Sequence, residues 1–237
     1  MQSIVHKSNT RGYANHGWLE ARHSFSFANY YDPNRKNFGV LRVLNDDKIS
    51  GGMGFGTHPH DNMEIITIPL EGALAHKDDM GNGTIIHEGD VQVMSAGTGI
   101  LHSEFNANKD KDCKLLQIWV LPNKKEVEPR YDQISFDKNK MQNNFLQILS
   151  PNENDYGVWI HQKAWFFLGE FDEGMKKNYN LNLKENGVYI FLISGKISIS
   201  NQLLESRDAI GVWETNEFDI HVIEKSKILI MEIPMTN

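Results

Sequence analysis

Nowhere along this 237-residue chain do apolar residues recur at helical spacing for long. They come in runs of four to eight, rich in Ile, Val and Phe and broken by Gly, Asn and Asp. Runs of that length and composition fit pleated strands buried on one or both faces. Residues 64–70, 91–94, 115–121, 188–193, 196–200, 218–223 and 228–233 are the clearest cases. The best helical candidate, residues 141–149, is brief. The pattern predicts an all-β protein.

Hairpins need residues that tolerate positive φ, and Asn45-Asp46-Asp47, Gly81-Asn82-Gly83 and Glu185-Asn186-Gly187 supply them as expected turns. Between residues 122 and 144 the composition shifts to Lys, Glu, Asn, Gln and Asp with two prolines, and the domain junction is expected there. That division gives a first unit over residues 1–134 and a second over 135–237, each large enough that its sheet must close or pair with another to hide its edges. Eight of the ten histidines precede the junction, which assigns the chemistry to the first unit.

Charge and cysteine content narrow the function classes. With 24 Lys+Arg against 31 Asp+Glu the net charge is −7, which argues against nucleic acid or an anionic membrane as partner, since both require a positive surplus. The single cysteine, Cys113, forbids an intrachain disulfide, and the cytoplasm is the expected compartment. The first twelve residues lack a signal-peptide apolar block, and no apolar run approaches the roughly 20 residues of a membrane span.

The informative segment is residues 51–106. His58 and His60 are two apart, as are His102 and Glu104. On a strand, such pairs share a face about 6.6 Å apart, so two adjacent strands would offer four ligands to one ion. Imidazole with carboxylate suits a divalent first-row metal, whereas all-oxygen sets suit calcium or magnesium. One H-x-H alone is as readily a solvated strand face. The second pair, 40 residues later behind Gly97-Thr98-Gly99, favours a metal site.

These residues resemble the cupin superfamily and, within it, the pirin family. Gly52, then His58-Pro-His60 and Glu64, look like the first cupin motif, although Gly72 comes one residue late. Residues 89–106 resemble the second, with Ser95 for its usual proline and four residues rather than two between Gly97 and His102. Both departures are shared by pirins, whose signature matches residues 89–104. Arg22 to Phe27, Tyr31-Asp32-Pro33 and Arg42 to Asp47 also look like the pirin N-terminal region. The resemblance covers most of residues 8–135. It implies a bicupin, two stacked cupin β-barrels with short helices, with metal in the first barrel only: the second half carries no H-x-H or H-x-E.

Carried over residue by residue, the resemblance gives His58, His60, His102 and Glu104 as ligands of one divalent ion. Fe(II) is expected, with Cu, Ni, Mn, Co or Zn as alternatives. Glu64 is the competing carboxylate, otherwise an inner-barrel group that orients a ligand imidazole. The bacterial pirin-like branch implies a dioxygenase that opens the central ring of flavonols such as quercetin with O2 and releases CO, Glu104 taking the 3-hydroxyl proton. The competing class is a non-catalytic iron-binding redox sensor or protein-binding regulator, as animal pirins imply. A metal-free sugar-binding or isomerase-like cupin is disfavoured by the intact ligand set. His76 is read as a hairpin hydrogen-bonding residue, His161 and His221 as exposed strand positions, and Phe25, Phe27, Phe55, Met53, Met94 and Ile118 as core by default, with the lining of an apolar pocket as the alternative. Arg22 and His23 are near the barrel mouth, without an assigned place.

Overall fold

The structure, a computed structural model, describes residues 1–236. The first half contributes β1 (Gln2–His6), β2 (Gly12–Asn15), β3 (Leu19–His23), β4 (Leu41–Ile49), β5 (Gly54–His60) and β6 (Glu64–Glu71). There follow β7 (Ala73–Asp78), β8 (Gly83–His87), β9 (Asp90–Ser95), β10 (Ile100–Asn106), β11 (Cys113–Val120) and β12 (Arg130–Ser135). The second half adds β13 (Leu146–Ser150), β14 (Val158–Trp159), β15 (Trp165–Phe171) and β16 (Lys176–Asn180). It ends with β17 (Asn186–Ile199), β18 (Gln202–Glu205), β19 (Ala209–Trp213) and β20 (Glu217–Pro234). The only helical elements among the described residues are 3₁₀ turns at Ser8–Thr10 and Lys138–Met141. None is long and apolar enough to cross a membrane.

In the first half a seven-stranded sheet, ordered β12-β9-β6-β11-β4-β3-β2, accompanies a four-stranded sheet, β5-β10-β7-β8. In the second, β17 and β20 pair over most of their length, with register shifts at Leu192–Ser194 and Ser194–Ile197. Such irregularities let long strands bend and serve more than one layer. This is the two-unit, cupin-like arrangement expected.

Alternation along the seven-stranded sheet divides its residues between two destinations. Ile66, Ile68, Val91, Val93 and Ile118 join Phe166, Phe191, Leu229 and Met231 in one apolar core between the halves. The second half keeps another apolar interior, around Ile190, Ile210, Phe218 and Ile230. The interior of the first half has only two small clusters, one about Leu19, Ile49 and Leu115 and the other about Ile65, Met94 and Ile100. Between them runs a cross-strand row of polar side chains, His23–Asn45–Gln117–Thr67–Gln92. A hydrophobic interior interrupted in this way holds less of the folding energy and leaves polar space for a site.

Several expectations are corrected. Residues 141–149 are not helical: after the 3₁₀ turn, Asn143 takes φ 52° and the chain re-enters a sheet as β13, paired with β15. Asn45-Asp46-Asp47 is no turn but the middle of β4, where Asn45 meets His23 and Asp46 is claimed by Arg11 at 3.2 Å and Arg207 at 3.5 Å. Tertiary partners outweigh turn propensity there. Strand β1 pairs with β19, so the first residues of the chain sit in the sheet of the second half. His161 lies in a bend after β14, half-buried, whereas His221 is an exposed strand residue as expected.

Candidate metal centre

The register of β5 against β10 assembles the donors: His58 stands opposite His102 and His60 opposite Ile100. Between the His58–His102 and Phe55–Glu104 pairs, Gly56 and Thr57 face the single residue Ser103, a bulge that re-aims side chains beside the site. The imidazoles of His58, His60 and His102 then converge, their ring centres 4.4 to 4.9 Å apart. Their nitrogens form a triad with ligand atoms within 4.8 Å of one another. A second triad, His76, His102 and Glu104, shares His102 with the first. The four expected donors are thus neighbours, in two overlapping groups rather than one.

The donor chemistry fits a metal ion. His102 is 1% exposed, yet neither ring nitrogen has a hydrogen-bond partner. Buried polar atoms without partners are rare and call for an occupant. His58 Nδ1 lies 2.8 Å from the Gly56 carbonyl oxygen and donates to it, which leaves Nε2 as the lone-pair nitrogen. Burial first, then the neighbouring imidazole of His58, lowers His60 to about 4 and His102 to about 3. Both are therefore neutral at pH 7, the form that binds metal. Glu104, 2% exposed, accepts from Gln117 Nε2 at 3.0 Å, and burial pushes its carboxyl up to about 7 despite that bond.

His76 is a hydrogen-bonding residue, 3.1 Å from Asp78 Oδ2, but also a member of the second triad. Glu64 does not serve the imidazoles. Alternation puts it on the face of Ile66 and Ile68, turned to the second half, where Ser95 Oγ donates to it at 2.6 Å. Burial raises it to about 7, opposed by Ser95, Arg130 and the His161 backbone N–H.

Beside the triads opens a cavity of about 400 Å³, walled by Trp18, Phe27, Phe55 and Trp119 and floored by Asn45, Asp47 and Gln117. Trp119 packs on His60 at 4.9 Å and Phe55 near His58 at 6.4 Å, so the aromatic walls begin at the donors. Of the six apolar residues expected in the core, Phe27 and Phe55 line this cavity, Phe25, Met94 and Ile118 are core, and Met53 is exposed. His23 also lines it, bonded to Asn45 at 2.8 Å. Asn45, Asp47, Gln117 and Trp119 went unrecognised in the sequence; period-two alternation through Leu41–Ile49 was the available signal. Cys113 is buried and its thiol is pushed up to about 11, so it is no nucleophile.

A cupin-like fold with a cluster of histidines and a glutamate suited to a divalent metal defines the class. The pirin family model matches residues 5–120 and the quercetinase C-terminal cupin domain model residues 147–233. The chain is 41% identical over 234 residues to a quercetin 2,3-dioxygenase of Escherichia coli, covering 97% of this chain and 98% of that one. It is 43% identical over 221 residues to a putative quercetin 2,3-dioxygenase of Zymomonas mobilis, covering 93% of each. The solved structure of the bacterial pirin YhhW from Escherichia coli in complex with nickel(II) superposes with a TM-score of 0.93 at 39% identity, covering 98% of this chain and 99% of that one. This chain belongs to the pirin family.

Proposed function

We propose that this pirin is a dioxygenase that opens the central ring of flavonols such as quercetin. Both atoms of O2 enter the ring-opened product and carbon 3 leaves as CO. One divalent ion, Fe(II) by preference, is held by His58, His60 and His102, with Glu104 reaching from the overlapping triad. When bound, the ion supplies Lewis acidity towards an enolic hydroxyl and access to dioxygen chemistry. Residues 1–134 act as the metal-binding unit and 135–237 as a metal-free unit that covers its sheet. The observation that supports this reading best is the position of the donors at the wall of an aromatic-lined cavity of about 400 Å³.

The protein's own part is positioning and proton transfer. Trp18, Phe55 and Trp119 hold a flat ring system and exclude water. Gln117 fixes one carboxylate oxygen of Glu104, and the other accepts the substrate's 3-hydroxyl proton. The test is anaerobic loading with iron followed by quercetin and O2, with O2 uptake and CO release measured together. Stoichiometric CO supports the reading, and no turnover with any flavonol rejects it.

One observation favours a second reading, a metal-dependent regulator without turnover. Two residues after His60, Asn62 exchanges hydrogen bonds of 2.6 and 2.8 Å with Glu126, while the Asn123 N–H donates to the His161 carbonyl at 2.7 Å. The turn that follows a ligand is therefore tied to the 121–129 segment, which is itself bonded to the second half, a route by which occupancy would reach a partner surface. Metal-dependent protection of residues 121–129 and 159–163 in hydrogen exchange, without turnover, would select it.

A further inference from the structure

We propose that Asp47 is the specificity-determining residue of the cavity, its carboxyl receiving a ring hydroxyl of the bound aromatic substrate; this rests on the flavonol reading above. Asp47 is 4% exposed, lines the cavity, and its Oδ1 has no hydrogen-bond partner. Its neighbours on the sheet are Ala21 and Leu115, neither of which offers a side-chain donor. Asp46, on the opposite face, takes the guanidinium groups of Arg11 and Arg207. A buried carboxyl left unpaired costs stability, so it is a group arranged for something that enters.

The shape of the cavity indicates what enters. Aromatic walls at Trp119 and at the edge-packed pair Trp18 and Phe55, 5.2 Å between centres, suit a flat ring system. Asp47 stands opposite Leu115, which belongs to the small cluster with Leu19 and Ile49, whereas Trp119 packs with the other cluster, against His60. Asn45, two residues earlier on the same face, is committed to His23, and Gln117 to Glu104. Asp47 is thus a cavity carboxyl left without a protein partner, free to meet a hydroxyl other than the reacting enol.

The test is the binding of two flavonols to metal-loaded protein without O2, so that neither is consumed: quercetin, with a catechol ring, and galangin, whose equivalent ring is bare. Quenching of tryptophan fluorescence reads the Kd, since Trp18 and Trp119 flank the cavity. Wild type should favour quercetin by about tenfold or more, the scale of one buried hydrogen bond. Asp47→Ala should bring the ratio close to one, and Asp47→Asn, which keeps a polar group of the same shape, should restore part of it. The melting midpoint of Asp47→Ala should equal or exceed that of wild type, because no protein partner is lost. A ratio unchanged in Asp47→Ala, or a midpoint lowered in both variants, overturns the Asp47 assignment alone. Preferential binding without turnover overturns the dioxygenase reading and leaves Asp47 standing, whereas binding of neither flavonol overturns both.

Discussion

Glu104→Gln should move the stability of the metal-free protein and the function of the metal-loaded protein in opposite directions. In the metal-free protein the Glu104 carboxyl is buried beside Asp47 with Gln117 as its one donor, and it titrates at about 7 instead of its ordinary 4.5. A raised carboxyl holds its proton more tightly folded than unfolded. Its stabilising effect is complete below pH 4.5 and is lost as pH climbs through 7. Above pH 7 the shift corresponds to about 3 kcal/mol of destabilisation, at roughly 1.4 kcal/mol per pKa unit. Glutamine removes the charge and its side-chain carbonyl still accepts from Gln117. Metal-free Glu104→Gln at pH 8 should therefore melt about 6–12 °C above metal-free wild type, and at pH 5 the gain should fall to about 1 kcal/mol or less. Adding metal should stabilise the variant less than wild type, by about 1.4 kcal/mol for each tenfold loss of affinity. Metal-saturated turnover should fall by roughly 10² to 10⁴, the scale of a positioned proton acceptor. Thermal melts of chelator-treated protein at the two pH values decide the matter. A variant less stable than wild type at pH 8 would refute the reasoning, because the carboxylate would then have a favourable partner in the metal-free protein.

Elemental analysis of His60→Ala should show about one equivalent of metal falling to near zero, whereas His161→Ala and His221→Ala leave it unchanged; a second ion dependent on either would sink the single-site assignment. Glu64 titrates at about 7 by burial, so wild type should lose up to about 3 kcal/mol as pH rises from 4.5 to 7 on its account, and urea melts of Glu64→Gln should show a flatter profile over that window. Glu232, 0% exposed, accepts from Tyr179 Oη, the Asn182 and Leu183 N–H groups and the amides of Asn182 and Asn186. Glu232→Ala strands those donors and should cost about 4 kcal/mol by urea melting with metal content unaltered.

Short-range pattern carried the all-β class, because strand residues announce themselves by runs of β-branched and aromatic side chains that need no distant partner. It also carried the two ligand pairs, since alternation with period two places His58 with His60, and His102 with Glu104, on common faces wherever the strands go. The lack of any such pair after residue 135 was legible for the same reason. Everything that depends on which strand lies beside which was decided in three dimensions. The pairing of β5 with β10 brings His58 and His102 together across 43 intervening residues, and its bulge sets Glu104 in the second triad rather than the first. Glu64 follows the right motif but falls on the face of β6 that it shares with Ile66 and Ile68, towards the other half. Asn45-Asp46-Asp47 has the composition of a turn, yet Arg11, Arg207 and His23 hold it as strand and so place Asp47 in the cavity. Local propensity amounts to tenths of a kcal/mol per residue, whereas a buried ion pair, a lost backbone ladder or an exposed apolar face is worth several times that, so the long-range contacts prevail wherever the two disagree.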